Sequence, residues 1–254
     1  MSRRIWLTGA SSGIGAALAD LLLQAGHHLA LSARSVAPLQ ALAQRYPGQV
    51  LVLPGDLGDA AQVRAIGAAI TEQWGALDTL IVNAGTCEYL EVADFQAAMI
   101  ERVMRANLLS ASYCIEAALP LLRAGVKPHL VGVSSSVTYL PLPRAQAYGA
   151  SKAALRYLLE ALRIDLAAEG IDVTVISPGF VDTPLTQKND FPMPLRWSAA
   201  KAAAHIAKRL EQRPLEMAFP GAFIAILWLL AHLPQRLQLA IGKRMARSSA
   251  KDSL

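Results

Sequence analysis

Short apolar runs alternate along the chain with longer stretches in which apolar residues recur every three or four positions. Runs of strand length lie at 5–8, 28–33, 50–53, 79–82, 129–134, 172–176 and 215–219. Helical periodicity fills 13–25, 36–46, 59–74, 95–124, 148–168 and 198–212. Strands that are apolar throughout, and separated by helices, predict a parallel sheet covered on both faces. The pattern therefore predicts one doubly wound α/β domain over 1–218, followed by an apolar and basic extension at 219–254. Ligands of such sheets bind beyond the carboxyl ends of the strands.

With 54% hydrophobic and 17% charged residues among 254, a large core is available and global disorder is excluded. The net charge of +5 suits an anionic partner, but no nucleic-acid-binding module is visible, which argues against nucleic acid. Cys87 and Cys114 form neither a C-x-x-C pair nor a disulfide framework. The N-terminal stretch has no apolar run long enough for a signal peptide, so a cytoplasmic location is expected.

The first strand leads into TGASSGIG (Thr8, Gly9, Ser11, Ser12, Gly13, Ile14 and Gly15 among its residues) and then a helix. Glycines at 9, 13 and 15 allow a tight turn and bring N–H groups close to a diphosphate at the helix N-terminus. A NAD site usually carries an acid after the second strand to accept from the ribose 2′-hydroxyl. Here that strand ends without one, and Arg34 occupies the neighbourhood. A guanidinium suits a 2′-phosphate, so NADP(H) is favoured over NAD(H). After the third strand Asp56 and Leu57 are placed for the adenine ring, and Asn83, Ala84 and Gly85 end the fourth strand in residues that let a cofactor approach the backbone.

In YGASK, Tyr148 and Lys152 stand four apart on a predicted helix and hence on one face. Together with TGASSGIG, GDL, NAG at 83–85, Asn107, the serines at 134–136 and PGFVDT at 178–183, this order of motifs closely resembles the short-chain dehydrogenase/reductase family in its compact single-domain branch. The resemblance covers roughly 4–184. It implies an oxidoreductase interconverting a carbonyl and its alcohol by hydride transfer, with no metal. Tyr148 would be the acid/base; Lys152, together with an oxidised nicotinamide, would favour the phenolate and lower its pKa, and Lys152 would also hold the nicotinamide ribose. Ser135 would hydrogen-bond the substrate oxygen, Ser134 and Ser136 being turn residues, and Asn107 would orient a proton-relay water. Pro178, Gly179, Val181 and Thr183 would turn the chain over the nicotinamide, with a substrate lid at about 184–198 and a homodimer through the long helices. A non-catalytic NADP(H)-binding sensor or scaffold is the alternative, disfavoured because the acid/base residues are intact.

The extension departs from that family. From Phe219 to Ala231 every residue is apolar, glycine or proline. After Pro234 comes an amphipathic piece, with Leu237, Ile241 and Met245 against Arg236, Lys243, Arg244 and Arg247. Three readings stand: a helix on the substrate cleft or a dimer interface, peripheral contact of 219–247 with an anionic membrane surface, and a membrane span. The run is similar to the apolar C-terminal helix of some membrane-associated reductases of that family, and this resemblance implies a hydrophobic substrate such as a fatty aldehyde, keto-lipid or steroid-like ketone.

Overall fold

The computed structural model describes residues 2–251, without the side chains of Lys188 and 247–251. The strands are β1 (Arg4–Thr8), β2 (His28–Ser32), β3 (Val50–Val52), β4 (Thr79–Val82), β5 (His129–Val133), β6 (Asp172–Pro178), β7 (Val181–Asp182), β8 (Trp197–Ser198) and β9 (Glu216–Phe219). The helices are α1 (Gly13–Gln24), α2 (Val36–Arg45), α3 (Ala60–Trp74), α4 (Ala97–Met104), α5 (Ser110–Arg123), α6 (Gln146–Ala167), α7 (Ala199–Leu210), α8 (Gly221–Ala231) and α9 (Gln235–Lys251).

Seven strands make one parallel sheet in the order β3-β2-β1-β4-β5-β6-β9. The doubly wound sheet expected from the apolar runs is thus present. Chain direction across the sheet reverses between β1 and β4, which opens a crevice beyond their carboxyl ends. One apolar cluster packs α1 and α7 on one face, and a second packs α3, α5 and α6 on the other. Helix α6 rides directly on β5, because a Cβ at Gly132 would lie 2.1 Å from a Leu159 methyl carbon. Any larger residue there would push away the helix that carries Tyr148 and Lys152.

The stretch 95–124 is not one regular helix. Helix α4 begins at Ala97, and a π turn at Arg105–Leu109 joins it to α5. The extra residue turns Asn107 inward, where it is fully buried. Within the stretch expected to be lid, Trp197 and Ser198 form β8, which pairs with β7 and anchors the segment to the end of β6.

The apolar run after β9 forms α8, whose inner residues Phe223 and Leu227 pack with Leu140, Tyr139, Leu142 and Phe180. Its eleven residues extend roughly 16 Å against a bilayer core of about 30 Å. Among the described residues no helix is long and apolar enough to cross a membrane. Helix α9 follows, with Arg236, Leu237, Lys243 and Arg244 exposed; the side chain of Arg247, expected on its basic side, lies outside the described residues.

Candidate active site

The turn after β1 is built by close packing. Gly9 (φ +67°) passes so near β4 that a Cβ would lie 2.8 Å from the Ala84 Cα, and one on Gly15 would lie 2.2 Å from the Gly9 carbonyl oxygen. Asn83 fastens the turn from the other side. Its Nδ2 donates to the carbonyls of Thr8 (3.0 Å) and Gly9 (3.2 Å). Thr8, expected at the cofactor, stands one layer behind. Its buried hydroxyl accepts from the amides of Asn83 (2.9 Å) and Ala84 (3.0 Å), so it braces the turn and is not left free to meet a ligand. Ser12 caps α1 in extended conformation with its side chain making no capping hydrogen bond. The first-turn N–H groups of α1 therefore face the crevice without a side-chain acceptor, the arrangement that receives a phosphate.

From that turn a cleft of about 480 Å³ runs along the carboxyl edge to Tyr148 and Lys152. Its walls bring together Ser11, Ser12, Gly13, Ile14, Arg34, Asp56, Leu57, Ala84, Gly85, Ser135, Pro178, Gly179, Val181 and Thr183, as their motifs implied. Arg34 is exposed on the cleft wall with its guanidinium available to an anion. Asp56 accepts from the Gly58 amide (2.9 Å) while its own amide donates to Gln62 (2.8 Å). Size, the open helix terminus and the placement of Arg34 fit a dinucleotide.

At the far end Tyr148, Ser151 and Lys152 project from the first two turns of α6. Lys152 is buried, with Nζ 6.0 Å from the centre of the Tyr148 ring and donating to the Val133 carbonyl (2.9 Å). Ser134 donates to the Lys152 carbonyl (3.0 Å), clasping β5 to α6. Ser135 caps the turn Ser136–Thr138, its hydroxyl accepting from the Val137 amide (3.2 Å), and it shares the cleft wall with Tyr148. Asn107 is another residue set behind the wall. Its Oδ1 accepts from the Thr86 amide (2.7 Å), and its Nδ2 donates to the Thr86 carbonyl (2.9 Å) and to Ser151 Oγ (2.8 Å). A Cβ at Gly85 would lie 3.0 Å from Asn107 Oδ1 and 3.1 Å from Lys152 Nζ, so a larger residue there would press those two groups back from their present positions.

The electrostatics differ from the expectation for Tyr148. Burial pushes its phenol up to about 12, with the Ser135 hydrogen bond acting the other way. Burial also pushes the Lys152 ammonium down to about 8. The protein alone therefore holds Tyr148 as a protonated acid at neutrality, because desolvation of the phenolate outweighs the stabilisation that the Ser135 hydroxyl gives it.

On the substrate side Tyr89, Arg144, Phe191 and Phe223 carried no motif, whereas Phe180 belongs to PGFVDT. Phe191 meets Tyr89 edge-on (centroids 5.5 Å apart) and Phe180 (6.1 Å), and Phe180 meets Phe223 of α8 (5.3 Å). The Tyr89 hydroxyl donates to Asn189 (2.6 Å), which fastens the segment after β7 to the loop after β4. Arg144, in left-handed conformation at φ +63°, makes ion pairs with Asp190 of the lid (2.9 Å) and with Glu91 (2.6 Å). These residues come from four separate loops and α8; a run of prolines at 184–194 was the one signal of a lid in the sequence.

Comparison with known proteins agrees with this geometry. The family model described as "short chain dehydrogenase" matches residues 3–193. An uncharacterized oxidoreductase of Myxococcus xanthus is 33% identical over 252 residues, covering 96% of this chain and 92% of its own. An uncharacterized oxidoreductase of Mycobacterium tuberculosis is 33% identical over 245 residues, covering 92% and 95%. Among solved structures, a short-chain dehydrogenase from Streptomyces avermitilis superposes with a TM-score of 0.84 at 24% identity over 98% of this chain and 99% of that one. The Pseudomonas aeruginosa RhlG/NADP active-site complex superposes with a TM-score of 0.79 at 29% identity, over 87% and 96%. The chain belongs to the short-chain dehydrogenase/reductase family and is an oxidoreductase of that family, whose fold binds a nicotinamide cofactor.

Proposed function

We propose that the protein is an NADP(H)-dependent reductase that interconverts an apolar aldehyde or ketone and its alcohol. The observation that carries this reading is the convergence of Ser135, Tyr148 and Lys152 on one end of a dinucleotide-sized cleft, with Lys152 Nζ 6.0 Å from the centre of the Tyr148 ring. Bound NADPH supplies a hydride to the carbonyl carbon. Tyr148 gives its phenolic proton to the carbonyl oxygen, and the pair of products is the alcohol and the oxidised cofactor. Ser135 donates to the same oxygen as negative charge gathers on it. Lys152 holds the nicotinamide ribose and restores the proton to Tyr148 through solvent, and Asn107 supports that relay by fixing the turn beside Lys152.

Arg34 is the group for the 2′-phosphate of the cofactor. Phosphate oxygens are received by the amides of the turn from Gly9 to Gly15, the adenine by Asp56 and Leu57, and the nicotinamide by Gly179, Val181 and Thr183. Tyr89, Phe180, Phe191 and Phe223 form an aromatic cluster that reaches Gly179 of the cleft wall, which supports an apolar substrate. Tyr157 and Ile164, exposed on α6, suit pairing of two copies through that helix. The test is loss of nicotinamide absorbance with NADPH, and separately NADH, across aldehydes and ketones of increasing chain length. Turnover with NADPH that rises with chain length is expected. In Tyr148→Phe, turnover falls at least about 10²-fold, the scale of a lost acid/base, while NADPH binding persists. Near-normal turnover in that variant would remove Tyr148 from the mechanism.

A further inference from the structure

Helix α8 has two apolar faces. Phe223 and Leu227 point inward to Leu140 and Phe180, whereas Ile226, Trp228 and Leu229 point outward and are 51%, 57% and 62% exposed. A short helix with no charged residue and three large side chains left in water is an unfavourable surface for a soluble monomer. Something covers it.

The distribution of charge says what. Residues 1–219 carry 19 basic and 18 acidic side chains, close to neutral, while 220–254 carry five basic and one acidic. Nearly the whole net charge of the chain thus sits in the extension, although basic residues occur throughout. No acid occurs between Pro220 and Lys251. Helix α9 exposes Arg236, Lys243 and Arg244 directly after the apolar face of α8. Large apolar side chains beside a purely cationic helix match a bilayer whose headgroups are anionic and whose acyl boundary is apolar. A second copy docking face to face would set this cationic helix against its own likeness, which is electrostatically unfavourable.

We propose that the outward face of α8, with the basic side of α9, docks on the surface of an anionic lipid bilayer without spanning it. Eleven residues of α8 are too few for a span, so Trp228 and its neighbours enter only the headgroup and upper acyl layer. The opposite face of the same helix carries Phe223, one of the aromatic residues beside the substrate end of the cleft. Docking therefore sets the cleft mouth close to the lipid, and an apolar groove of about 340 Å³ between α9 and Leu140–Pro143 adjoins it. The substrate class that follows is a carbonyl compound that partitions into membranes. That last step rests on the proposed reaction; the docking does not.

The test uses the full chain and vesicles of phosphatidylcholine, with and without phosphatidylglycerol, and reads binding by cosedimentation without any turnover. The protein pellets with vesicles that contain phosphatidylglycerol, and raised salt releases it. Trp228→Glu and the double change Lys243→Glu with Arg244→Glu each lower partitioning by about tenfold or more, while NADPH binding in both reports an intact fold. On the unaltered chain, vesicles shift tryptophan emission to the blue, and Trp228→Phe loses that shift. Protein that stays in the supernatant, pellets equally with both vesicle types, or pellets unchanged in both charge variants overturns the proposal. A dimer that Trp228→Glu dissociates, with no vesicle binding, would assign the face to a second copy and overturn it as well. Vesicle binding without carbonyl turnover would keep the docking and remove the reaction.

Discussion

Asn107 in the π turn and Ser151 in α6 are joined by a 2.8 Å hydrogen bond between two side chains that are both fully buried. Through it the loop after β4 is tied to the helix that carries Tyr148 and Lys152, since Asn107 also holds both backbone groups of Thr86 and Ser151 donates to the Tyr148 carbonyl (2.8 Å). The amide of Asn107 is thus a three-way brace between the cofactor edge and the acid/base helix. Asn107→Ala leaves the Thr86 amide and carbonyl without their partner, at a cost of about 1–3 kcal/mol. Chemical denaturation will show that loss. Turnover will fall by more than the fraction unfolded, because the turn beside Lys152 loosens. Ser151→Ala, which removes one arm of the brace, will show a smaller version of both effects. Unchanged stability in Asn107→Ala would mean the brace carries no energy.

The proposed preference for NADP(H) rests on Arg34. A charge-assisted pair between a guanidinium and a phosphate contributes about 1.5–3 kcal/mol, which corresponds to roughly 10- to 100-fold in affinity. Arg34→Glu should raise the Kd for NADPH on that scale and leave NADH unaffected or improved, since a carboxylate accepts from a 2′-hydroxyl and repels a 2′-phosphate. Direct titration of both cofactors measures this. A parallel loss for both would place Arg34 outside the discriminating contact.

The opposed shifts of Tyr148 and Lys152 set a pH profile. Carbonyl reduction needs the phenol protonated, and with its pKa up at about 12 that condition holds through mildly alkaline pH. Lys152, down at about 8, loses its charge first. The profile of kcat/KM for reduction should therefore be level below about pH 8 and decline above it. In Lys152→Arg, whose guanidinium stays charged, the decline should move to higher pH even if the maximum is lower. An alkaline limb that stays in place in that variant would show that it belongs to another group.

Arg144 ties down the segment after β7, the proposed lid. Its ion pairs with Asp190 and Glu91 are partly exposed, so Arg144→Ala should loosen the lid modestly. KM for an apolar substrate should rise on the order of fivefold with kcat changed less, and high salt should weaken the unaltered enzyme in the same direction. Equal KM in the variant and the unaltered protein would show that the latch does not govern access.

Much of this architecture was legible before any coordinates, because apolar periodicity and the spacing of glycines act locally. The runs at 79–82 and 129–134 read as strands from their length and their place between helical patterns, and TGASSGIG reads as a tight strand-to-helix turn from its glycines. Other features depend on residues far apart in the chain. Thr8 and Asn107 were expected among the site residues, yet both stand behind the cleft wall, because their hydrogen-bond partners come from β4 and its following loop, and from α6. The raised phenol of Tyr148 is a result of enclosure that the Y-x-x-x-K spacing does not encode. Tyr89, Arg144, Phe180, Phe191 and Phe223 meet only because the sheet brings four loops and α8 to one edge. Periodicity and turn chemistry are properties of neighbouring residues and survive in a linear string. Burial, and the company a side chain keeps inside it, exist only once the chain has folded.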